Sequence, residues 1–385
     1  MIKRTIEQVA KALWQQYPVV TITGPRQSGK TTLAKCAFPE CDYINLEALD
    51  VRAEVVADPR GFLQRHPAPI IFDEVQNVPA LVSYIQEIVD EKGTSSLFVL
   101  TGSHQPALQA AITQSLAGRT ALLELLPLSI DEVRSTGTVL ERDKLLYTGF
   151  MPRLYNSQIP PQRLYADYFK TYVERDIRQL ANLKNLNLFE TFLRLLAGRI
   201  GQVLNLNSLA TDVGVSSVTI KEWLSLLETS YIITILRPYY RNFGKRFIKA
   251  PKVYFIETGL VAYLLGIRSE QQIATHPLVG NLFENMMVVD LLKQRFNQGL
   301  PADMYYMRTS NGVEVDVVQE RDGKLDLYEI KSGATFNKEM AKNLLALQPV
   351  LGEEVGRQAV IYAGGSASLM EGVQYENFMN VRHNL

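Results

Sequence analysis

The chain has 385 residues with 40 basic and 40 acidic side chains, so its formal net charge is zero, and 46% of its residues are hydrophobic. That balance is ordinary for a globular protein of two or three domains, and it excludes coating of nucleic acid by bulk charge while leaving a local basic patch open. Two cysteines, Cys36 and Cys41, without metal-ligand spacing exclude a disulfide framework and a zinc site and fit a reducing cytoplasm.

In chain order, MIKRTIEQVAKALWQQ breaks its apolar residues with charge every few positions and reads as an amphipathic helix rather than a signal peptide. No run approaches the roughly 20 apolar residues that span a bilayer. Residues 18–23 (PVVTIT) are β-branched and bounded by Pro18 and Gly24, which predicts a buried strand. GPRQSGKTTLAK follows and fits G-x-x-x-x-G-K-[ST]. Glycines let a loop curl its N–H groups around a polyphosphate, and the next helix offers its positive end. The loop residues Gly24, Pro25, Arg26, Gln27, Ser28 and Gly29, with Lys30, Thr31 and Thr32 opening the helix, are therefore the expected nucleotide cradle. Lys30 is assigned to the β and γ phosphates of ATP and the Thr31 hydroxyl to Mg²⁺.

Residues 69–74 (PIIFDE) predict a second buried strand closing in Asp73, expected to hold the metal, and Glu74, expected to polarise the attacking water. A third strand, LFVLTGS (97–103), has a polar end where ligands gather in parallel sheets, so Ser103 or His104 is expected to face the γ-phosphate. A helix over about 106–117 and the strand TALLELLPLS complete the region.

This order resembles the AAA-type ATPases. The resemblance implies that Arg119, just before the last strand, reaches a neighbouring subunit's nucleotide; the alternative is a cation capping a helix C-terminus. YTGFMPRLY, with Gly149 and Pro152, looks like the Gly-x-Pro lid element of signalling-type AAA ATPases beside the adenine, with a lid helix over 165–183.

Residues 189–200 predict a helix, and NSLATDVGVSSVTIKEWLSLLETS predicts two more about a Gly214 turn. Two strands, YIITILRPYY and KVYFIETG, follow, and together these segments look like a winged helix. Between Glu228 and Glu257 there is no acidic residue, whereas Arg237, Arg241, Lys245, Arg246, Lys249 and Lys252 occur with Tyr239, Tyr240, Phe243 and Phe247 among them. A basic wing with aromatics suits sequence-nonspecific DNA contact. The competing expectation is interdomain packing with buried tyrosines.

After a linker near 266–278 the order is helix (281–297), three strands (304–309, 313–320, 325–332), helix (about 337–350) and strand (357–364). That order resembles the PD-(D/E)xK nucleases. Asp316 and Glu314 share one strand face, Glu329 and Lys331 form an E-x-K, and Glu284 lies on the preceding helix. Glu284, Asp316 and Glu329 are expected to hold Mg²⁺, with Lys331 activating a water. Fold and cleavage are separate, and a module that only binds remains the alternative.

Taken whole, with GPRQSGKT, FDEVQ, TGSHQ, YVERDI, LFENMMVVDLL and EVD…EIKSG, the chain resembles a bacterial and archaeal family in which an AAA-type ATPase module is followed by a C-terminal domain of uncertain function that is similar to PD-(D/E)xK nucleases. The expected fold is an α/β P-loop AAA-type parallel sheet with a helical lid, then a winged helix, then an α/β PD-(D/E)xK nuclease-like domain. The expected divisions are 1–160, 161–270 and 271–385. The expected partners are DNA and further copies of the chain, with a ring as one form. The rival is a signalling-type nucleotide switch whose C-terminal domain binds without cleaving.

Overall fold

The computed structural model describes residues 2–103, 106–174, 186–239, 249–365 and 367–381. His104, the continuation of the predicted lid helix from 175, and the wing residues 240–248 lie outside the described residues.

The N-terminal module is a five-stranded sheet flanked on both faces by helices. Its strands are β1 (Val19–Gly24), β2 (Asp42–Asn45), β3 (Ile70–Asp73), β4 (Phe98–Ser103) and β5 (Thr120–Glu124). They run in parallel in the order β2-β3-β4-β1-β5. Parallel strands covered on both faces should be apolar throughout, and β1, β3 and β4 are buried at every position. Alternate residues feed two cores. Val19, Phe72, Phe98 and Leu100 pack under α3 (Leu49–Ala57), α4 (Pro59–Arg65), α5 (Leu81–Lys92) and α6 (Pro106–Ser115). Val20, Ile22, Ile71 and Val99 meet α1 (Glu7–Trp14) and α2 (Lys30–Ala37) on the other face. The edge strand β2 has only four half-exposed residues, DYIN, which is why no apolar run announces it.

Four short helices follow: α7 (Ile130–Arg134), α8 (Arg142–Thr148), α9 (Pro152–Asn156) and α10 (Pro161–Tyr168). The last continues as a π-helical turn over Phe169–Glu174. Next come α11 (Leu186–Ala197), α12 (Leu206–Val213) and α13 (Ser217–Thr229). Gly214, at φ 81°, ends α12, and the Ser216 side chain accepts from Thr219 N to cap α13, so the predicted turn is built by a left-handed glycine and a serine cap. An antiparallel pair, β6 (Ile233–Pro238) and β7 (Lys252–Phe255), then forms.

After α14 (Thr258–Leu264) and α15 (Gln271–Thr275), the 18-residue α16 (Val279–Phe296) precedes β8 (Tyr305–Arg308), β9 (Glu314–Arg321) and β10 (Lys324–Lys331). Then follow α17 (Lys342–Leu351), β11 (Val355–Tyr362), β12 (Ala367–Met370) and β13 (Val373–Asn377). β8-β9-β10 are antiparallel, and the α17 crossover makes β11 parallel to β10. β6 pairs in parallel with β8 through Arg237↔Tyr305 and Pro238↔Tyr306, so one sheet runs β12-β13-β11-β10-β9-β8-β6-β7 across the division expected near 270.

α16 is buried on nearly all sides, and its polar residues are spent on anchoring. Asn285 bridges both backbone groups of Phe255 at 2.8 and 2.9 Å. Asp290 accepts from Ile130 N at 2.7 Å, and Lys293 donates to Leu128 O at 2.9 Å. Each buried polar group thus has a partner from another segment, which ties the helix to the end of the N-terminal module as well as to β7. Among the described residues no helix is long and apolar enough to cross a membrane.

Candidate nucleotide site and C-terminal acidic cluster

The carboxyl ends of β1, β3 and β4 converge on the predicted phosphate loop. Gly24 has φ 151°, and a Cβ there would come within 2.2 Å of Leu125 O, so glycine is required. Gly29 is left-handed at φ 95° and opens α2, whose first turn has no side-chain cap, leaving its N–H groups for an anion. The loop is braced from behind. Ser28 Oγ donates to Pro25 O at 3.0 Å, and Arg4 donates to Ser28 O and Leu126 O, both at 2.7 Å, while pairing with Glu132 at 3.0 Å.

Lys30 is buried and folds its ammonium onto Gly24 O at 3.1 Å and Pro25 O at 2.8 Å. Burial pulls this lysine down to about 8, against the opposing pull of Glu74 and Asp73. The Thr31 hydroxyl donates to the Asp73 carboxylate at 2.9 and 3.1 Å, and Tyr43 from β2 donates at 2.7 Å. Thr101 donates to the same carboxylate. A hydroxyl and a carboxylate held together beneath the loop are the hard oxygen ligands that Mg²⁺ takes, so these residues fit the metal of a bound Mg-ATP. Glu74 sits at φ 58°, turned out of the strand direction, with Asn77 donating to its carbonyl at 3.0 Å and the Gln76 amide donating to its carboxylate. Ser103 pairs in register with Gly24, and its buried Oγ has no hydrogen-bond partner among the described residues.

In front of the loop lies a cavity of about 710 Å³, lined by Arg26, Gln27, Gly29, Lys30, Thr31, Thr32 and Glu74 and by Pro152, Arg153, Asn156 and Tyr172 from the helical segment. That volume suits a nucleotide. The Arg26 guanidinium stands 5.8 Å from the centroid of the Tyr172 ring. Pro152 thus lines this cavity, as does Tyr172, a residue of YVERDI that the sequence reading did not single out. The turn before Pro152 is fixed by close approach. At Gly149, φ 73°, a Cβ would lie 2.0 Å from Glu257 Oε1 and 2.2 Å from the Tyr165 hydroxyl.

Arg119 is elsewhere. It precedes β5 beside Val19, at the end of the sheet opposite Gly24, about 16 Å away by strand rise. It makes a bidentate pair with Asp90 at 2.6 and 3.0 Å and lines no part of its own chain's cavity.

The C-terminal acids do come together, but around lysines. Lys252 Nζ lies 2.9 Å from Glu284 Oε1, 2.5 Å from Glu314 Oε1 and 3.7 Å from Asp316 Oδ1. Tyr254 donates to Glu284 at 2.6 Å, and Ile330 N donates to Asp316 at 2.8 Å. Lys331 Nζ meets Glu329 Oε1 at 2.5 Å, and Asn343 donates to the same oxygen at 3.1 Å. Burial first, then Asp316, pushes Glu284 up to about 7 and Glu329 up to about 8. Burial pulls the Lys252 ammonium down, but Tyr254, Glu284, Asp316 and Glu314 outweigh it and hold it well above the ordinary lysine value. Among the described residues no three His, Cys, Asp or Glu groups converge as a metal-holding set. The expectation that Lys252 is a wing cation is therefore corrected, because it is buried and spent on this cluster. Tyr239 is likewise buried, in a core with Met307 and Val315, as the packing alternative anticipated.

Residues 16–134 match the family model described as AAA domain, and residues 140–271 and 279–377 match two domains of unknown function, DUF8612 and DUF4143. With the loop and strand-end geometry, this shows a P-loop ATPase module of AAA type. Among solved structures the chain is similar to the Walker-type ATPase PABY2304 of Pyrococcus abyssi, with 14% identity over 69% of this chain and 96% of that one and a TM-score of 0.42. It is also similar to AMPPCP-bound DnaA from Aquifex aeolicus, with 13% identity over 58% and 86% and a TM-score of 0.32. Two curated relatives, the uncharacterized proteins Rv2008c of Mycobacterium tuberculosis and Mb2031c of Mycobacterium bovis, are each 31% identical over 354 residues, 90% of this chain and 77% of theirs. The chain, in which an AAA domain is followed by two regions of unknown function, belongs to the family of these mycobacterial proteins.

Proposed function

We propose that the protein hydrolyses Mg-ATP in the cytoplasm and couples that hydrolysis to work on DNA as a homo-oligomer, with a ring as one form. The observation that carries the ATPase half is the meeting of Lys30, Thr31 and Glu74 at one open cavity, with the buried Asp73 carboxylate held on the Thr31 hydroxyl behind them. Lys30 and the α2 amides would bind the β and γ phosphates, and Thr31 and Asp73 would hold Mg²⁺, which when bound neutralises charge on the transferring phosphoryl group. Arg26, Tyr172 and Pro152 would orient the nucleotide. Glu74 would hold the proton of the attacking water at its carboxylate once that carboxylate leaves the Gln76 amide. Arg119, remote from its own cavity, would complete a neighbour's site.

The DNA half draws on the acid-free stretch between Glu228 and Glu257. The order α11-α12-α13-β6-β7 supports a winged helix, and α16-β8-β9-β10-α17-β11, with β11 parallel to β10, supports a PD-(D/E)xK nuclease-like module. In this arrangement the acids Glu284, Asp316 and Glu329 are engaged by Lys252 and Lys331. That engagement favours a second reading, a nucleotide switch whose C-terminal module binds without cleaving. ATP turnover measured with and without single-stranded, duplex and branched DNA separates the two. Stimulation by DNA supports the first, and turnover indifferent to every DNA supports the switch.

A further inference from the structure

The C-terminal cluster already holds a cation, and the chain itself supplies it. Lys252 is the first residue of β7, pairs in register with Leu236 of β6, and is 1% exposed. Its ammonium is within 3 Å of carboxylates from α16 (Glu284) and β9 (Glu314), with Asp316 of β9 just beyond. The ammonium also stands over the Tyr306 ring, 5.4 Å from its centroid. A charge surrounded in this way by oxygens of opposite sign occupies the place and satisfies the field that a divalent ion would need.

A second observation points to a ligand at the same place. Glu329, 2% exposed and an electrostatic neighbour of Asp316, has one oxygen on Lys331 and Asn343, while its buried Oε2 has no hydrogen-bond partner among the described residues. A buried carboxylate oxygen without a donor is a coordination position left unused.

We propose that Lys252 is a tethered counter-ion that closes this acidic cluster to divalent metals. The seating of the β6–β7 hairpin on α16 then determines whether the C-terminal module takes a metal at all. The proposal rests, for the purpose of the cluster, on the nuclease-like reading above, but its test does not use cleavage.

The nucleotide-free full chain is titrated calorimetrically with MnCl₂ alone. Wild type is expected to show no Mn²⁺ site that Asp316→Asn removes. Lys252→Met is expected to bind one Mn²⁺ at least about tenfold more tightly than wild type does, and adding Asp316→Asn is expected to abolish that gain. Lys252→Arg keeps the charge and is expected to stay closed. Equal Mn²⁺ binding by wild type and Lys252→Met would overturn the proposal, as would wild-type binding that Asp316→Asn removes. If Lys252→Met does not fold, Lys252→Met with Glu284→Gln leaves one buried charge fewer and carries the same comparison, while the wild-type titration still decides by itself. Plasmid incubation is scored separately. A Lys252→Met protein that binds Mn²⁺ and leaves plasmid intact keeps the closure and ends the nuclease reading.

Discussion

The phosphate-loop region and the C-terminal cluster each bury a lysine near carboxylates, and they differ in what the charges are given as partners. Around residue 30, Lys30 rests on backbone carbonyls and Asp73 is surrounded by the neutral hydroxyls of Thr31, Thr101 and Tyr43, beside a 710 Å³ cavity. These partners satisfy the buried groups without cancelling their charge, so a phosphate and a metal can still be bound. In the C-terminal cluster the acids face Lys252 and Lys331, so their charge is met by cations of the chain itself. A site poised for a ligand pairs its charges with dipoles, whereas a closed one pairs them with opposite charges.

The largest expected effect that would break this contrast is at Lys30. Lys30→Ala should lower ATP turnover by about 10²-fold or more, measured as phosphate release, because it removes the buried cation at the phosphate loop that would stabilise the developing phosphate charge. Glu74→Gln should reduce turnover by about 10²–10⁴-fold while leaving nucleotide affinity close to wild type, as expected of a general base rather than a binding group. Parallel loss of binding and turnover would move Glu74 out of that role. Gly149→Ala forces a Cβ onto Glu257 and Tyr165 and should destabilise the fold by about 1–3 kcal/mol in thermal unfolding.

The pH response sharpens the comparison from the open side. Lys30 lies at about 8 in the free protein, below its ordinary value of 10.5, so its ammonium is lost as pH rises past about 8. Bound phosphate favours the charged form. ATP binding should therefore take up protons at pH 8–9 and weaken as pH increases, which calorimetry in buffers of different ionisation enthalpy reports. Burial of Lys30 has the opposite sign for the fold. The unfolded chain holds more protons between about 8 and 10.5, so this group's contribution to stability improves as pH rises through that window. The smallest effect on stability is expected at Arg119. Its pair with Asp90 is exposed, so Arg119→Ala should leave the melting temperature unchanged. If it acts on a neighbour's nucleotide, the same change should remove any dependence of specific turnover on protein concentration.

Legibility followed the range over which each site is assembled. The nucleotide site is local in sequence. Its loop and helix start are contiguous from Gly24 to Thr32, and a strand-end carboxylate at Asp73 completes it, so motif and physics coincide. Tyr43 escaped because β2 is short and half exposed, with no apolar run to mark it. Tyr172 reaches the cavity only through the path of the lid helices, which no local pattern encodes. The C-terminal acids were legible from strand alternation, since Glu314 with Asp316 and Glu329 with Lys331 share faces. Lys252 was not. In sequence it is the last cation of a basic stretch, and its burial depends on β6 pairing with β8, a contact between residues 237 and 305. Alternation alone does give its side, because Lys252 and Tyr254 share a face of β7 and both reach Glu284.

The central claim, that the loop around Lys30 is an open Mg-ATP site, is tested most directly by calorimetric titration of the purified protein with ATP in Mg²⁺, beside Lys30→Ala. The account predicts saturable one-site binding in the wild type and a loss of at least about tenfold in affinity in the variant. Wild type that takes up no adenine nucleotide, or a variant that binds as tightly as wild type, would contradict it.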